Sequence, residues 1–357
     1  MKKILVINPG STSTKVALFS SDSSGNVKEL ASQSLTHGAE DLDVFNSTAD
    51  QEEFRTQAVT DFLKKNKITE LDCCAGRGAP VKALSAGSYK INDTMLEELR
   101  TEKYSNHASN LGALIAFSVA EKFHCSSLIA DPVSVDEFEP FSRYSGLPGM
   151  NRRSRLHALN IRAMARKYSE SIGKNMDDLN LVIAHLGGGI SVVPMKKGKM
   201  IDTNDANDGG PFSPQRAGTL PTTLLVKMCF SGKYESAEKI NSLITQKAGL
   251  LAYLGSDDGR VIEERIAEGD NKAEEVYGAM TYQIGREIGS ASAALKGKVD
   301  GIILTGGLAY APLCTQWVSE YIDWIAPVII LAGEHELTAL AEAGSRFIYG
   351  KEELKEY

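Results

Sequence analysis

Two short stretches about half a chain apart repeat one pattern. Val6–Phe19 reads VINPGSTSTKVALF: an apolar run, a tight Asn-Pro-Gly turn crowded with hydroxyls, then a second apolar run. Leu181–Met195 reads LVIAHLGGGISVVPM, again two apolar runs, joined here by His-Leu-Gly-Gly-Gly. Such an echo is expected of two similar domains in one chain. Glycine-rich hairpins are common, so the pattern alone does not say what the turns hold. Around them, strand-like and helical stretches alternate almost from end to end, the mark of an α/β architecture. Ile4–Asn8, Lys15–Phe19, Ser127–Asp131, Leu181–His185, Ile190–Pro194 and Gly301–Thr305 read as strands. Thr56–Asn66, Asn110–Phe123, Arg155–Ser169, Lys272–Leu295 and Glu336–Tyr349 read as helices.

Two domains also suit the length of 357 residues, long for a single core. A formal net charge of -7 argues against nucleic acid as the main partner, because a phosphate backbone selects for a basic face. The five Cys are odd in number and show no CxxC spacing, which favours reduced thiols over a disulfide framework or zinc site. The opening MKKILVINPG is too short an apolar run for a signal peptide, and no segment reaches the roughly 20 apolar residues of a membrane span. The expectation is a cytoplasmic protein with no membrane or nucleic-acid partner.

The turns themselves suggest phosphate. Gly10 allows a sharp bend and close backbone approach. Ser11, Thr12, Ser13 and Thr14 offer hydroxyls, and Lys15 a compact positive charge. This is not the P-loop, which needs a Gly immediately before the Lys where Thr14 stands. Read alone, the stretch is equally a hairpin with solvated hydroxyls. Gly187, Gly188 and Gly189 leave backbone N–H groups uncovered, a natural anion nest, with His185 just before them. Gly306 and Gly307 end a further apolar strand, where a nucleotide can lie in an open α/β sheet. The polar segment Asp202–Gly218 is the longest loop-like stretch, of a size that is often functional.

Together these motifs resemble the acetate and butyrate kinase family, within the superfamily that holds sugar kinases, a heat-shock chaperone and actin. VINPGSTSTK is similar to that family's first phosphate signature, HLGGGIS to its second and TGGLA to its adenosine segment. NPGSTSTKVA, the pair His107–Ala108, RRSRLHALN and GEHEL are similar to the butyrate branch, where acetate kinases carry NAGSSSLK, HNP, FHGTSH and HLGNG. The resemblance implies two ribonuclease-H-like domains with a nucleotide cleft between them, an actin-like ATPase fold. It places an acyl and phosphate domain at 1–150 with a returning C-terminal helix at about 338–357, and a nucleotide domain at 151–337.

The same resemblance implies roles. Arg77 and Arg216 would bind the carboxylate and stabilise the transferring phosphoryl group. Asp131 would be the acidic residue near that group or its metal, though Asp before Pro also starts turns. His107 and His185 fall inside matched motifs. Arg153 stands where acetate kinases have a His, so either Arg153 or His157 would contact the phosphoryl group; the reading favours Arg153. Ser11, Ser13, Lys15 and Gly187–Gly189 would hold the ATP phosphates, and Asp258, Arg260, Gly306 and Gly307 the rest of the nucleotide. Asn8 and Glu336 would be linked to Mg²⁺, with Glu334 the alternative acid.

The implied reaction is reversible phosphorylation of a short-chain carboxylate by ATP. A carboxylic acid is already ionised at neutral pH, so charge neutralisation matters more than a general base. Gly78 and Ala79 follow Arg77 where acetate kinases have two Val, which suggests room for butyrate or a branched four- or five-carbon acid. Acetate or propionate, a sugar or polyol, and a non-catalytic nucleotide switch remain alternatives. A homodimer or higher homo-oligomer is expected from the family.

Overall fold

The computed structural model describes residues 1–357. The chain separates into two compact units, Met1–Val135 with His335–Tyr357, and Asp136–Glu334.

The first unit is built on six strands: β1 (Lys2–Pro9), β2 (Ser13–Ser21), β3 (Val27–Thr36), β4 (Cys73–Arg77), β5 (Ser88–Lys90) and β6 (Ser126–Ala130). Their order is β3-β2-β1-β4-β6-β5. β1 and β2 form the hairpin around NPGST, while β4 and β6 run parallel to β1. The register sets Asn8 opposite Lys15, and opposed residues of a ladder share a face. β1 and β4 are buried on both faces, as parallel strands covered by helices must be. Helices Glu52–Lys65 and Asn110–Phe123 supply one cover, through residues such as Phe62, Leu111 and Ile115. Helix Glu336–Ile348 packs on β1 and β4, so the chain returns to this unit at its end.

The second unit holds β7 (Asn180–Leu186), β8 (Ile190–Lys196), β9 (Lys199–Met200), β10 (Gly301–Gly306) and β11 (Val328–Ala332), in the order β11-β10-β7-β8-β9. β7 and β8 are the second hairpin, and β10 and β11 continue in parallel. A central strand with antiparallel pairing on one side and parallel pairing on the other is the pattern of the first sheet too, which adds β5 antiparallel at its far edge. The echo in sequence is therefore an echo in topology. The long helix Asn271–Ala294 covers this sheet, with Tyr277, Ile284 and Ile288 in its core. No helix is long and apolar enough to cross a membrane.

Boundaries differ from the sequence reading by a few residues. β3 and β11 carry no clean alternation; β3 is mostly exposed and β11 half-buried, so neither announces a buried face.

Candidate active site

In the first unit, the carboxyl ends of β1 and β4 bring Asn8 and Arg77 side by side. The Asn8 amide donates to Glu336 Oε2 at 2.7 Å, and Arg77 Nη1 donates to Asn8 Oδ1 at 3.1 Å. Arg77 Nη2 closes the ring on Glu336 Oε1 at 3.2 Å. Three residues from distant parts of the sequence thus fix one another, with one positive and one negative charge. Lys15 is exposed opposite Asn8, alongside the exposed Ser11 and half-buried Ser13.

His107 precedes helix Asn110–Phe123. Its Nδ1 accepts the Ser109 backbone N–H at 3.1 Å, so the neutral ring carries its proton on Nε2. Loss of hydration and the Arg77 charge both push its pKa below the ordinary 6.5. Because the residue is largely exposed, the occupied Nδ1 is the firmer reason. Below the ordinary value the unfolded chain takes a proton that folded His107 resists. The associated stability is therefore full above about pH 6.5 and lost as pH falls through the folded value. We expect the thermal midpoint of His107→Gln to fall less on acidification from about pH 7 to 5 than that of the wild type, over the range where His titrates. Differential scanning fluorimetry checks this, and parallel curves would refute it.

Asp131 is buried with φ of +40°, its carboxylate accepts from Gly87 N at 2.7 Å, and its own N–H donates to Gly87 O at 3.0 Å. Gly78 and Ala79 are small for a packing reason: a Cβ on Gly78 would lie 2.5 Å from Pro132 Cα, and Ala79 is fully buried in the core. Packing against Pro132 and the core, and not an enlarged acyl pocket, accounts for the small size of this pair.

In the second unit, the ends of β7 and β10 lie adjacent, Thr305 beside His185. Asn160 explains how His185 is set. Both protons of its amide go to main-chain carbonyls, of Gly333 at 3.3 Å and Glu334 at 2.6 Å, so its Oδ1 must face His185 Nδ1 at 2.9 Å as acceptor. His185 therefore donates from Nδ1, while Nε2 is turned toward Gly187, where a Cβ would lie 3.1 Å away. His157 stacks on His185 with centroids 3.9 Å apart and planes 11° from parallel. Two imidazolium rings at that separation repel, so the stack favours at most one charge.

The Gly187–Gly189 turn is tied to the Arg216 loop. Ser213 Oγ donates to Gly188 O at 2.5 Å and accepts the Arg216 N–H at 3.1 Å. The Arg216 guanidinium lies over Gly189, where a Cβ would come 2.5 Å from its Cζ. It donates to Asn207 Oδ1 at 2.6 Å, and burial lowers its pKa against the opposing pull of Asp205. Beside the turn opens a pocket of about 430 Å³, lined among others by Gly187, Gly188, Asp258, Arg260, Gly307 and Leu308. Asp258 caps helix Gly259–Ala267 and pairs with Arg260 at 2.7 Å, which brings its pKa down to about 2. Gly306 has φ of +89° and its backbone abuts Leu186, leaving no room for a side chain.

The sequence pattern of the Acetokinase family matches residues 149–326. The chain is 46% identical over 358 aligned positions to butyrate kinase 2 of Clostridium acetobutylicum, covering 99% of each. The chain belongs to the acetokinase family. Among solved structures, acetate kinase of Porphyromonas gingivalis superposes with a TM-score of 0.78 at 20% identity, over 98% of this chain and 100% of that one. Propionate kinase of Francisella tularensis gives 0.74 at 18%, over 96% and 99%. The fold is the two-domain, actin-like one of these enzymes.

Within this chain, Arg153 and His157 differ in setting. Arg153 is exposed and pairs with Asp208 at 3.2 Å, whereas His157 touches His185. The two acids of GEHEL also part: Glu334 lines the pocket, and Glu336 meets Asn8 and Arg77. No group of three His, Cys, Asp or Glu side chains gathers to cage a metal ion. Magnesium is ordinarily held by one or two protein oxygens together with water and substrate phosphates, and Glu336 with Asn8 fits that requirement. Arg55, which donates to the Gly10 and Ser11 carbonyls, Asn160, and Gln215, which lines the pocket and lies over Gly188, were not anticipated from sequence. Arg55 sits in an ordinary helical EEFRTQ, and Asn160 matters only through the fold that brings Gly333 beside it.

Proposed function

We propose that this member of the acetokinase family transfers the γ-phosphoryl group of ATP to butyrate, giving butyryl phosphate and ADP, reversibly. The observation that carries the choice of acid is the 46% identity, end to end, to a relative named butyrate kinase 2.

A carboxylate oxygen attacks phosphorus, the bond from phosphorus to the ADP oxygen breaks, and ADP leaves with that electron pair. No proton need be removed from the acceptor. The difficulty is bringing one anion to another, so positioning and charge neutralisation supply the rate. On the first unit, Arg77 holds the carboxylate, its planar fork oriented by Asn8 and Glu336. His107 donates from Nε2 to an anionic oxygen without adding charge. Ser11, Ser13 and Lys15 receive phosphate oxygens. On the second unit, Gly187–Gly189, His185 and Arg216 serve the transferring group, and Asp258, Arg260, Gly306 and Gly307 serve the nucleoside side. His157, stacked on His185, is a better phosphoryl partner than Arg153. Magnesium held through Glu336 and Asn8, with Asp131 as a further acid near the transferring group, would offset phosphate charge.

Hydroxamate trapping of acyl phosphate, with a ladder of acids from acetate to hexanoate including isobutyrate and isovalerate, tests the reading. The rate is expected to peak at butyrate and to fall about 10- to 100-fold by acetate, the discrimination one or two buried methylenes allow. A peak at acetate would overturn the assignment of the acid. No acyl phosphate with any acid would overturn the reaction.

A further inference from the structure

The Gly10–Thr14 turn is gripped from one side by a residue outside every motif. Arg55, on helix Glu52–Lys65, is 1% exposed. Its Nη1 donates to Gly10 O at 2.8 Å, Ser13 O at 3.2 Å and Thr14 Oγ1 at 3.2 Å, and Nη2 donates to Ser11 O at 2.8 Å. Gln51 Oε1 accepts from Nε and Nη2 at 3.0 and 2.7 Å. The remaining carbonyl of the turn, Thr12 O, takes the His37 N–H at 2.9 Å.

In a planar trans peptide the C=O of one residue and the N–H of the next point in opposite directions. With Gly10 O and Ser11 O drawn toward the guanidinium, the amides of Ser11 and Thr12 are turned the other way, beneath their exposed side chains. Successive outward amides make a concavity suited to an anion.

The charge points the same way. Every partner of Arg55 is neutral, three main-chain carbonyls and one hydroxyl of the turn and the Gln51 amide oxygen, and no carboxylate pairs with it. An ion removed from water without a counter-ion is costly to keep. Burial accordingly lowers its pKa, to about 10, which leaves it charged at neutral pH. Thr14 Oγ1 accepts from Arg55 and shares a hydrogen bond with His37 Nε2, 2.9 Å away. Burial and the Arg55 charge disfavour the imidazolium form of His37. One uncompensated positive charge thus lies a single peptide layer under an exposed turn.

We propose that Arg55 is a positioning residue for nucleotide phosphate: it orients the Gly10–Thr14 turn so that the Ser11 and Thr12 amides face the ligand, and its buried charge is completed by the phosphate on the far side. The proposal rests on the kinase reading. Arg55→Met keeps length and packing but removes charge and fork, Arg55→Lys restores the charge alone, and Gln51→Leu only loosens the clamp.

MgATP affinity by titration calorimetry and kinetic constants by hydroxamate trapping would be measured on all three full-length variants. Arg55→Met is expected to weaken MgATP binding and raise KM for ATP about 10- to 100-fold, the loss of charge-assisted hydrogen bonds, with KM for the carboxylate within about twofold. Arg55→Lys should recover part of this, and Gln51→Leu should show the same split on a smaller scale. A folded Arg55→Met that is less heat-stable but binds MgATP as the wild type does would overturn the proposal. If Arg55→Met does not fold, unchanged MgATP affinity in Gln51→Leu would overturn it. A wild type that makes no acyl phosphate would overturn the carboxylate reading instead, and the calorimetry would still decide on Arg55.

Discussion

Arg77→Gln is expected to lower kcat/KM for butyrate by about 10²- to 10³-fold, the range seen when a preorganised donor to developing charge is removed. The side chain is held at the end of β4 by Asn8 and Glu336, with only 29% of it exposed. Gln offers one amide where the guanidinium offers a fork, and it leaves Glu336 without its cation. An uncompensated carboxylate would then repel both the incoming acid and the phosphates. Arg77→Lys should recover little, because a point charge cannot bridge Asn8, Glu336 and a substrate carboxylate together. Because the contact is made in the ground state and strengthens as charge develops in the transition state, KM for butyrate should rise and kcat fall, with KM for ATP nearly unchanged. Initial rates by hydroxamate trapping at varied butyrate and saturating ATP measure this. Constants within threefold of wild type, as an approximate limit, would remove Arg77 from the reaction.

Gly112→Ala should cost stability although Ala is the better helix former. Gly112, in helix Asn110–Phe123, lies against β4, where an added Cβ would sit 2.5 Å from Arg77 O and 3.0 Å from Arg77 N. A Cβ on Gly76 would in turn collide with Gly112 O. The two elements therefore meet backbone to backbone, and neither can retreat easily, since Leu111, Ala113, Leu114, Ile115 and Ala116 are all fully buried. Helix propensity returns about 1 kcal/mol. Overpacking removes about 3 kcal/mol or more, so the net loss is about 2 kcal/mol or more. A fall of roughly 4–8 °C in thermal midpoint follows for a unit of this size. Because the displaced atoms are Arg77's own backbone, KM for butyrate should rise in the fraction that remains folded. A midpoint within about 1 °C of wild type would show that the helix can yield, and would sink the argument.

What the sequence disclosed and what it did not divide along a physical line. The two hairpins, the glycine turns and Gly306 were legible because local backbone demands select glycine and small polar residues whatever the rest of the chain does. The α/β class followed from the alternation of apolar strand-like runs, such as those of β1 and β7, with helical stretches. Asn160 was not legible, since its role depends on carbonyls of Gly333 and Glu334 that only the fold brings near. Arg55 was hidden for the same reason: a helical Arg four residues after Gln51 looks like a solvated charge until the turn is laid over it. The small pair Gly78–Ala79 misled in the opposite direction, because its size answers to Pro132 and the core. Arg153 attracted attention through alignment with a His, yet charge type alone does not place a side chain, and it pairs with Asp208.

The discontinuity of the first unit has a temporal side. Residues His335–Tyr357 belong to it, yet they follow the whole of Asp136–Glu334 in the chain. Gly344 packs on Ile4 and Cys73, Ser345 bonds Ser21 at 2.6 Å, and the Lys355 N–H donates to Ser88 O at 2.9 Å. Glu336, which orients Arg77, arrives with the same segment. On the ribosome, units fold as they emerge, and here the second can close while the first still lacks a helix over β1 and β4. Arg77 therefore takes its final setting only after the whole of the second unit has been made.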